Sequence, residues 1–420
     1  MENGKALETE SYKGVRDFYP ADWARTNAVF SRTREVLASW GYEEYQASPL
    51  ERTELYESKG NEEIINEQTY TFEDRGGRRV TLRPEMTPTL ARMVAAKRRE
   101  LAFPLRWFSI GNRFRYERPQ RGRLREFFQT DVDLVGLPEG EADLEILMLA
   151  SEILKALGAT EQDFIIRVNS RKLLTRACAV AGLPEGDASK AYWQLIDKKA
   201  KMQPEEFEEA RKQFTADPLA VIESDSDAQV TAEKNALLAK IAALKERGVG
   251  NVVFDTDTVR GFDYYTGIVF EVFDTNPENP RALFGGGRYD GLVSLFGGDP
   301  IPAVGFAMGD VPIADFLETH GISPEATASA HVYIGTPQME CIGDAQAFAQ
   351  TLRAQGVHVV VNLKDRGLGD QVKDASRRGI PFFIAYGEDE VRSDSVHIKN
   401  LETGVEESFL KSSAHLAISQ

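Results

Sequence analysis

Cysteine is nearly missing from this chain. It has two, Cys178 and Cys341, far apart in sequence. That excludes a disulfide framework and a CxxC zinc site, and it fits a cytosolic protein. No stretch approaches the roughly 18 consecutive apolar residues of a membrane span. The opening decapeptide MENGKALETE has no apolar run, so no signal peptide and no membrane association are expected. An excess of basic residues is missing as well. The formal net charge is -16, from 50 Lys and Arg against 66 Asp and Glu. This argues against non-specific wrapping of nucleic acid, but a local basic site on an acidic body remains open. Signature loops are equally scarce. Without GxxxxGK followed by Ser or Thr, a P-loop nucleotidase is not expected. FGGGRYDG does not have the GxGxxG spacing of a dinucleotide fold. No HExxH or paired Cys/His cluster suggests zinc, so no metal site follows from a direct motif, and no GxSxG suggests a hydrolase elbow.

What is present starts with a core. The 420 residues suffice for two to three domains, and 42% hydrophobic and 28% charged residues are ordinary for a soluble globular protein. One stretch stands out, Gly111–Gly136, GNRFRYERPQRGRLREFFQTDVDLVG. Its flanks alternate. Arg113, Arg115 and Glu117 fall on one parity, with Phe114 and Tyr116 on the other. Further on, Gln129, Asp131 and Asp133 alternate with Phe128, Val132 and Leu134. A period of two predicts strands with one polar and one apolar face. Between them ERPQRGRLRE reads as a long hairpin loop. A solvated face is the plainer explanation of such a hairpin. The mixture of fixed cations with carboxylates and an amide suits a ligand carrying both phosphate and ammonium groups.

Along the rest of the chain, Ala21–Trp40 has helical spacing and stops at Gly41. Tyr42–Leu50 reads as a strand closing near Pro49. Thr69–Glu73 and Arg79–Arg83 read as a hairpin, followed by RPEMTPT and a helix from Pro88 to about Glu100. A strand at Leu105–Ile110 leads into the arginine-rich hairpin, and Glu139–Leu157 is an amphipathic helix. From Asp187 to Arg247 there is no glycine, which predicts a helical insert broken near Pro204 and Pro218. TVRGFDYYTGIVFEVFD is a turn entering a nearly continuous apolar strand. FGGGRYDGL and AVGFAMGDVPIADFL follow. Residues 1–320 thus form one core with a helical insertion at about 170–248, and 321–330 form a linker. Residues 331–420 alternate strand and helix, as a small α/β domain does. Five of that segment's nine Lys and Arg lie between Lys364 and Arg378, either an RNA patch or a solvated helix face.

The chemistry these residues can perform is positional. Arginine binds phosphate oxygens bidentately and keeps its proton. Nucleotidyl transfer needs in-line positioning and charge stabilisation more than covalent help.

GNRFRYERPQRGRLREFFQ resembles motif 2 of class II aminoacyl-tRNA synthetases in its histidyl form. TVRGFDYYTGIVFE and FGGGRYDGL resemble two peptides peculiar to histidyl-tRNA synthetases, and the helix–strand ending at Pro49 resembles motif 1. The resemblance runs from about Tyr12 to Ile313, and the remaining segment is similar to the family's anticodon-binding domain. It implies an α+β catalytic domain on a six-stranded antiparallel sheet, a helical insertion and a C-terminal α/β domain, assembled as a homodimer. It also implies histidine, ATP with Mg²⁺, and tRNA(His) as substrates and partners, in the cytoplasm. By position, Glu85, Thr87 and Gln129 would hold the α-ammonium of histidine. Asp133 and Tyr265 would read its imidazole, with Tyr264 and Tyr289 lining the pocket. Arg115 and Arg260 would grip the α-phosphate. Phe127 would stack on adenine, and Gly285, Gly286 and Gly287 would admit the adenylate. Arg123 would lie near the phosphates or the tRNA end.

One position departs from the family. Pro312, in GFAMGDVPI, stands where motif 3 carries an arginine on the γ-phosphate; Arg118 is a neighbouring substitute. The alternative to a ligase is a non-charging paralogue, such as the regulatory subunit of ATP phosphoribosyltransferase. That paralogue usually lacks the C-terminal domain and erodes the Arg-Gly-x-Asp-Tyr-Tyr peptide, and here both are present.

Overall fold

Pro20 opens the first helix, α1 (Pro20–Ser39), where its missing N–H costs nothing. Phe30, Thr33, Val36 and Leu37 form its buried stripe. In this computed structural model the described residues are 8–57, 68–118, 120, 122–183, 185–199, 202–214, 217–224, 226–260, 264–324 and 328–418. Pro119 and Arg121 of the arginine-rich loop, and Gly261, Phe262 and Asp263 of the RGFDYY peptide, lie outside them.

After α1 come β1 (Glu43–Glu44), β2 (Leu50–Arg52), β3 (Tyr70–Glu73), β4 (Arg79–Leu82) and α2 (Thr87–Lys97). Then follow the hairpin β5 (Leu105–Phe114) and β6 (Glu126–Val135), α3 (Glu141–Ala156) and β7 (Phe164–Ser170). The helical insert comprises α4 (Arg171–Val180), α5 (Asp187–Lys198), α6 (Pro204–Arg211), α7 (Pro218–Ser224) and α8 (Ala228–Glu246). The chain returns to the sheet through β8 (Val252–Phe254), β9 (Ile268–Asp274), β10 (Ala282–Arg288) and β11 (Ala303–Gly309), and α9 (Asp310–Thr319) follows directly.

These strands form a sheet in the order β1-β5-β6-β11-β10-β9-β7-β8. The six from β5 to β7 are antiparallel neighbours, as the family resemblance implies. Two short parallel strands, β1 and β8, extend its edges. Strands β2, β4 and β3 make a separate small sheet. The segment Tyr42–Leu50, expected as one strand, therefore divides between two sheets. Conversely, Leu105–Ile110 and the first arm of the arginine-rich hairpin are one strand, β5.

Alternation gives the large sheet two unlike faces. Phe108, Ile110, Val132, Leu134, Val304, Phe306, Phe270 and Val272 form an apolar face packed with Phe30, Leu37, Leu147, Ile153, Ile313 and Phe316 of α1, α3 and α9. The insert has its own core, including Leu173, Tyr192, Trp193, Ile196, Phe207, Ile222 and Val230. Asp227 caps α8 by accepting the Gln229 and Val230 N–H groups at 3.0 Å each. Lys240 ties α8 to Asp143 at 2.9 Å and also to Glu139, which pairs with Lys172.

Residues 326–420 form a second compact unit. Its strands are β12 (Val332–Gly335), β13 (Val359–Val361), β14 (Phe382–Ala385), β15 (Ser395–Asn400) and β16 (Glu406–Leu410), with α10 (Ile342–Ala354) and α11 (Leu368–Arg377). The sheet order is β13-β12-β14-β15-β16 over a core of Val332, Ile334, Phe348, Leu352, Ile384 and Val396. Within the basic cluster, Arg366 bonds Asn362 at 3.0 Å and Asp374 at 2.9 Å, and Lys373 pairs with Asp370. Those charges lie largely within one helix and the turn before it.

Candidate active site

The polar face of the sheet is hollowed by small residues. Cross-strand register sets Ser109, Asp131, Ala307, Gly285 and Glu271 in one row and Trp107, Asp133, Gly305, Gly287 and Val269 in the next. A Cβ on Gly305 would lie 2.4 Å from Asp133 Oδ1, and one on Gly285 2.6 Å from Arg260 Nη1. One on Gly287 would meet the Tyr265 ring at 2.7 Å. Glycine at these positions is what lets the surrounding polar side chains close over the strands. Gly286 points the other way: a Cβ there would fall 2.0 Å from the Gly305 carbonyl oxygen and 2.7 Å from Phe306. It packs the sheet rather than facing the hollow.

Acid and phenol groups form one wall. The RPEMTPT segment brings Glu85 over the face, where its carboxylate accepts the Tyr264 hydroxyl at 3.1 Å. Thr87 is the first residue of α2, with Met86 in the capping position, and it hydrogen-bonds Tyr264. The Tyr264 ring lies 5.0 Å from Tyr265 and 6.0 Å from Tyr289. Tyr289 in turn donates its hydroxyl to Asp133. Burial drives the Glu85 carboxyl up to about 7, against the pull of Arg115. Burial and the nearby Asp131 raise Asp133 to about 8, although its bond from Tyr289 works the other way. Gln129 is buried, and its Oε1 has no hydrogen-bond partner among the described residues. An unsatisfied buried acceptor on the strand that also carries Asp131 and Asp133 is a place for an ammonium donor.

Two arginines sit among these groups. Arg115 donates from Nε to the Pro84 carbonyl at 3.0 Å, and its guanidinium lies 5.4 Å from the centre of the Phe127 ring. Arg260 donates to Glu271 at 3.0 Å and to Tyr265. Its φ of 54° is the one positive value at a non-glycine among the described residues. Burial alone would lower its pKa; Tyr265 and Glu271 outweigh that and raise it, so the charge is fixed. Arg123 is more peripheral, paired at 3.0 Å with Glu117 in the loop.

The structure thus gathers Glu85, Thr87, Arg115, Phe127, Gln129, Asp133, Arg260, Tyr264, Tyr265, Gly285, Gly287 and Tyr289 on one face. Arg123 lies at its margin, and Gly286 is behind it. Sequence reasoning missed three supports. Arg113 shares the parity of Arg115, yet it is fully buried and paired with Asp131, next to Arg83, which donates to the Asn112 and Ala47 carbonyls at 2.9 Å each. Glu271 orients Arg260. Gly305 makes room for Asp133. A charged residue inside an otherwise apolar strand run, IVFEVFD, was the available signal for Glu271. Pro312 sits in the first turn of α9. There Asp310 accepts the Phe128 N–H at 2.9 Å and pairs with Arg16 at 2.6 Å.

Known proteins are similar to this chain over most of its length. Residues 14–310 match the family model described as histidyl-tRNA synthetase, and 331–417 match an anticodon binding domain. A histidine–tRNA ligase of Leptospira biflexa is 40% identical over 409 residues, 94% of each chain. One of Halorubrum lacusprofundi is 36% identical over 423 residues, again 94% of each chain. Among solved structures, histidyl-tRNA synthetase from Nostoc sp. PCC 7120 superposes with a TM-score of 0.79 at 25% identity, covering 99% of both chains. A Bacillus halodurans structure described as an ATP phosphoribosyltransferase regulatory subunit/histidyl-tRNA synthetase shares the fold, with a TM-score of 0.72 at 24% identity over 92% of this chain and all of its own. With its own family model matched over most of the length and such relatives at both ends of the chain, this protein belongs to the histidyl-tRNA synthetase family.

Proposed function

We infer that the chain is a histidine–tRNA ligase. Its first step joins histidine to ATP. A carboxylate oxygen of histidine attacks the α-phosphorus, the bond to the bridging oxygen breaks, and pyrophosphate leaves. In the second, the terminal ribose hydroxyl of tRNA(His) attacks the adenylate carbonyl and AMP leaves. The observation that carries this reading is the gathering of buried acid, phenol and guanidinium groups on one glycine-floored face. A zwitterionic amino acid and a nucleotide phosphate need that combination.

In this reading Glu85, Thr87 and Gln129 hold the α-ammonium. Asp133 and Tyr265 select the imidazole beside Tyr264 and Tyr289. Arg115 and Arg260 take the charge on the α-phosphate as it transfers. Phe127, sandwiched with Arg115, stacks on adenine, and Gly285 and Gly287 admit the adenylate, with Gly286 as their packing support. Arg123 serves the phosphates or the tRNA end. ATP enters as its Mg²⁺ complex. Mg²⁺ would offset charge on the β- and γ-phosphates.

The wider assignments follow the same reading. Residues 1–320 are the catalytic core, with the insertion at about 170–248, 321–330 the linker, and 331–420 the anticodon reader. The protein works as a homodimer: Leu50 and Phe72, on the small β2-β4-β3 sheet, are 45% and 48% exposed and would be covered by a second copy. It works in the cytoplasm, where its two buried thiols stay reduced; no described helix is long and apolar enough to cross a membrane.

Histidine-dependent exchange of pyrophosphate into ATP tests the function. Exchange is expected, and Arg260→Ala should slow it by about a hundredfold, the scale of losing one transition-state donor. A folded wild-type protein that binds histidine yet shows no exchange would refute the ligase and leave the regulatory paralogue.

A further inference from the structure

Arg288 closes β10, the strand whose glycines floor the hollow, and it is fully buried. The tyrosines of the site hang on its backbone. Tyr289 follows it directly and donates its hydroxyl to Asp133. On the other side the Arg288 carbonyl accepts the Thr266 N–H at 2.7 Å, and Thr266 follows Tyr264 and Tyr265 in the chain. The Thr266 hydroxyl in turn accepts the Asp290 N–H at 3.1 Å. A Cβ on Gly267 would lie 2.9 Å from Arg288 Cδ, so the two segments are in close contact. Whatever holds the Arg288 side chain therefore holds these tyrosines as well.

Part of that hold comes from the helical insert. Arg288 Nη1 donates to the Leu137 carbonyl and to Asp290, at 3.0 Å each, and Nη2 to the Pro138 carbonyl at 3.3 Å. Nε and Nη2 also meet Asp143 of α3, at 2.8 and 2.6 Å, and both reach the same oxygen, Oδ1. A guanidinium beside a carboxylate commonly takes its two oxygens in parallel. Here Oδ2 is already taken. It accepts the Gly140 N–H at 3.1 Å and Lys240 Nζ at 2.9 Å. Gly140 is the cap of α3 itself, whereas Lys240 belongs to α8, the last helix of the insert. Asp143 and Arg288 are fully buried, and Lys240 is partly exposed. Water cannot replace a partner lost from such a buried ionic cluster. Without Lys240, Oδ2 opens to the Arg288 fork. The guanidinium then turns toward parallel pairing and draws the backbone at Tyr289 and Thr266 with it.

We propose that Lys240 of the insert is a positioning residue for histidine binding, acting through Asp143 and Arg288 on Tyr264, Tyr265 and Tyr289. The seating of the insert thereby sets how well the site receives the amino acid. The proposal rests on the ligase reading for its ligand, but its test does not require turnover. Binding of histidine and of ATP is measured separately by calorimetry for the wild type, Lys240→Met, Lys240→Arg and Lys172→Met. Lys240→Met should weaken histidine about tenfold, the scale of one loosened hydrogen bond, and leave ATP unchanged. Lys240→Arg keeps a cation on Oδ2 and should restore most of the histidine affinity. Lys172→Met cuts the insert's other tie, to Glu139, and should leave histidine binding as it is. In pyrophosphate exchange, KM for histidine should rise in Lys240→Met while kcat and KM for ATP hold. If Lys240→Met does not fold, Lys240→Gln, shorter and neutral, takes its place in the same comparison. Unaltered histidine affinity in the folded variant overturns the proposal. So does an equal loss in Lys172→Met, which would mean that attachment of the insert alone matters, or a parallel loss for ATP. A wild type that binds histidine without exchanging pyrophosphate sinks the ligase reading, and the binding series still decides this one.

Discussion

Glu85 is covered by Tyr264 and faces Arg115, and its carboxyl is raised by burial to about 7. An ammonium bound there favours the ionised form, so below pH 7 binding must first expel a proton. Histidine affinity should fall as pH drops from 8 to 6, by up to about tenfold per unit. Part of that fall belongs to the imidazole of histidine itself, and Glu85→Gln separates the two. Calorimetric titrations at pH 6, 7 and 8 should give a weaker but flatter profile for the variant. Parallel profiles would remove Glu85 from ammonium binding. At this scale the sequence was legible for placement: Glu85, Asp133 and Arg115 come to one face of the sheet. It was not legible where burial decides. Arg113 and Arg115 lie two apart with the same parity, yet one is fully buried against Asp131 and the other lines the hollow. Alternation says which face a side chain takes, and it is silent on what lies above that face.

Among the elements, the helical insert was readable from its lack of glycine and its two prolines, but its attachment was not. Attachment runs through Glu139, which follows β6 and meets Lys172 of α4 and Lys240 of α8. Burial opposes its charge; the two lysines outweigh burial and hold the carboxyl down at about 2. The sign follows. The folded pKa lies below the unfolded value of 4.5, so the ionised group stabilises the fold fully above about pH 4.5. That contribution is lost as pH falls toward 2. Urea unfolding between pH 6 and pH 3 should therefore show a loss of stability that is smaller in Glu139→Gln. An identical slope in both proteins would place the acid sensitivity elsewhere. Strand boundaries failed for a related reason. Tyr42–Leu50 has strand chemistry throughout, but its two ends pair with β5 and with β4 in different sheets. Pairing partners that far along the chain leave no trace in a local period of two.

For the molecule as a whole, the change of grammar near residue 330 suggested a second unit, and the chain divides into two compact units, 1–325 and 326–420. Each has a complete apolar core of its own, Val132, Leu134 and Phe306 with their neighbours in one and Val332, Ile334 and Ile384 in the other. Every residue assigned to histidine and ATP lies in the first. A chain ending at residue 324 should accordingly fold and keep histidine-dependent pyrophosphate exchange within about threefold. Its kcat/KM for charging tRNA should drop by about a hundredfold, equivalent to roughly 2.7 kcal/mol of lost binding at the distant end of the RNA. The two assays separate the causes. Loss of both activities in a folded, truncated protein would mean that the second unit shapes the active site itself. Retention of full charging would mean that the arginine-rich loop and the insert suffice to select the tRNA, leaving 331–420 with some other task.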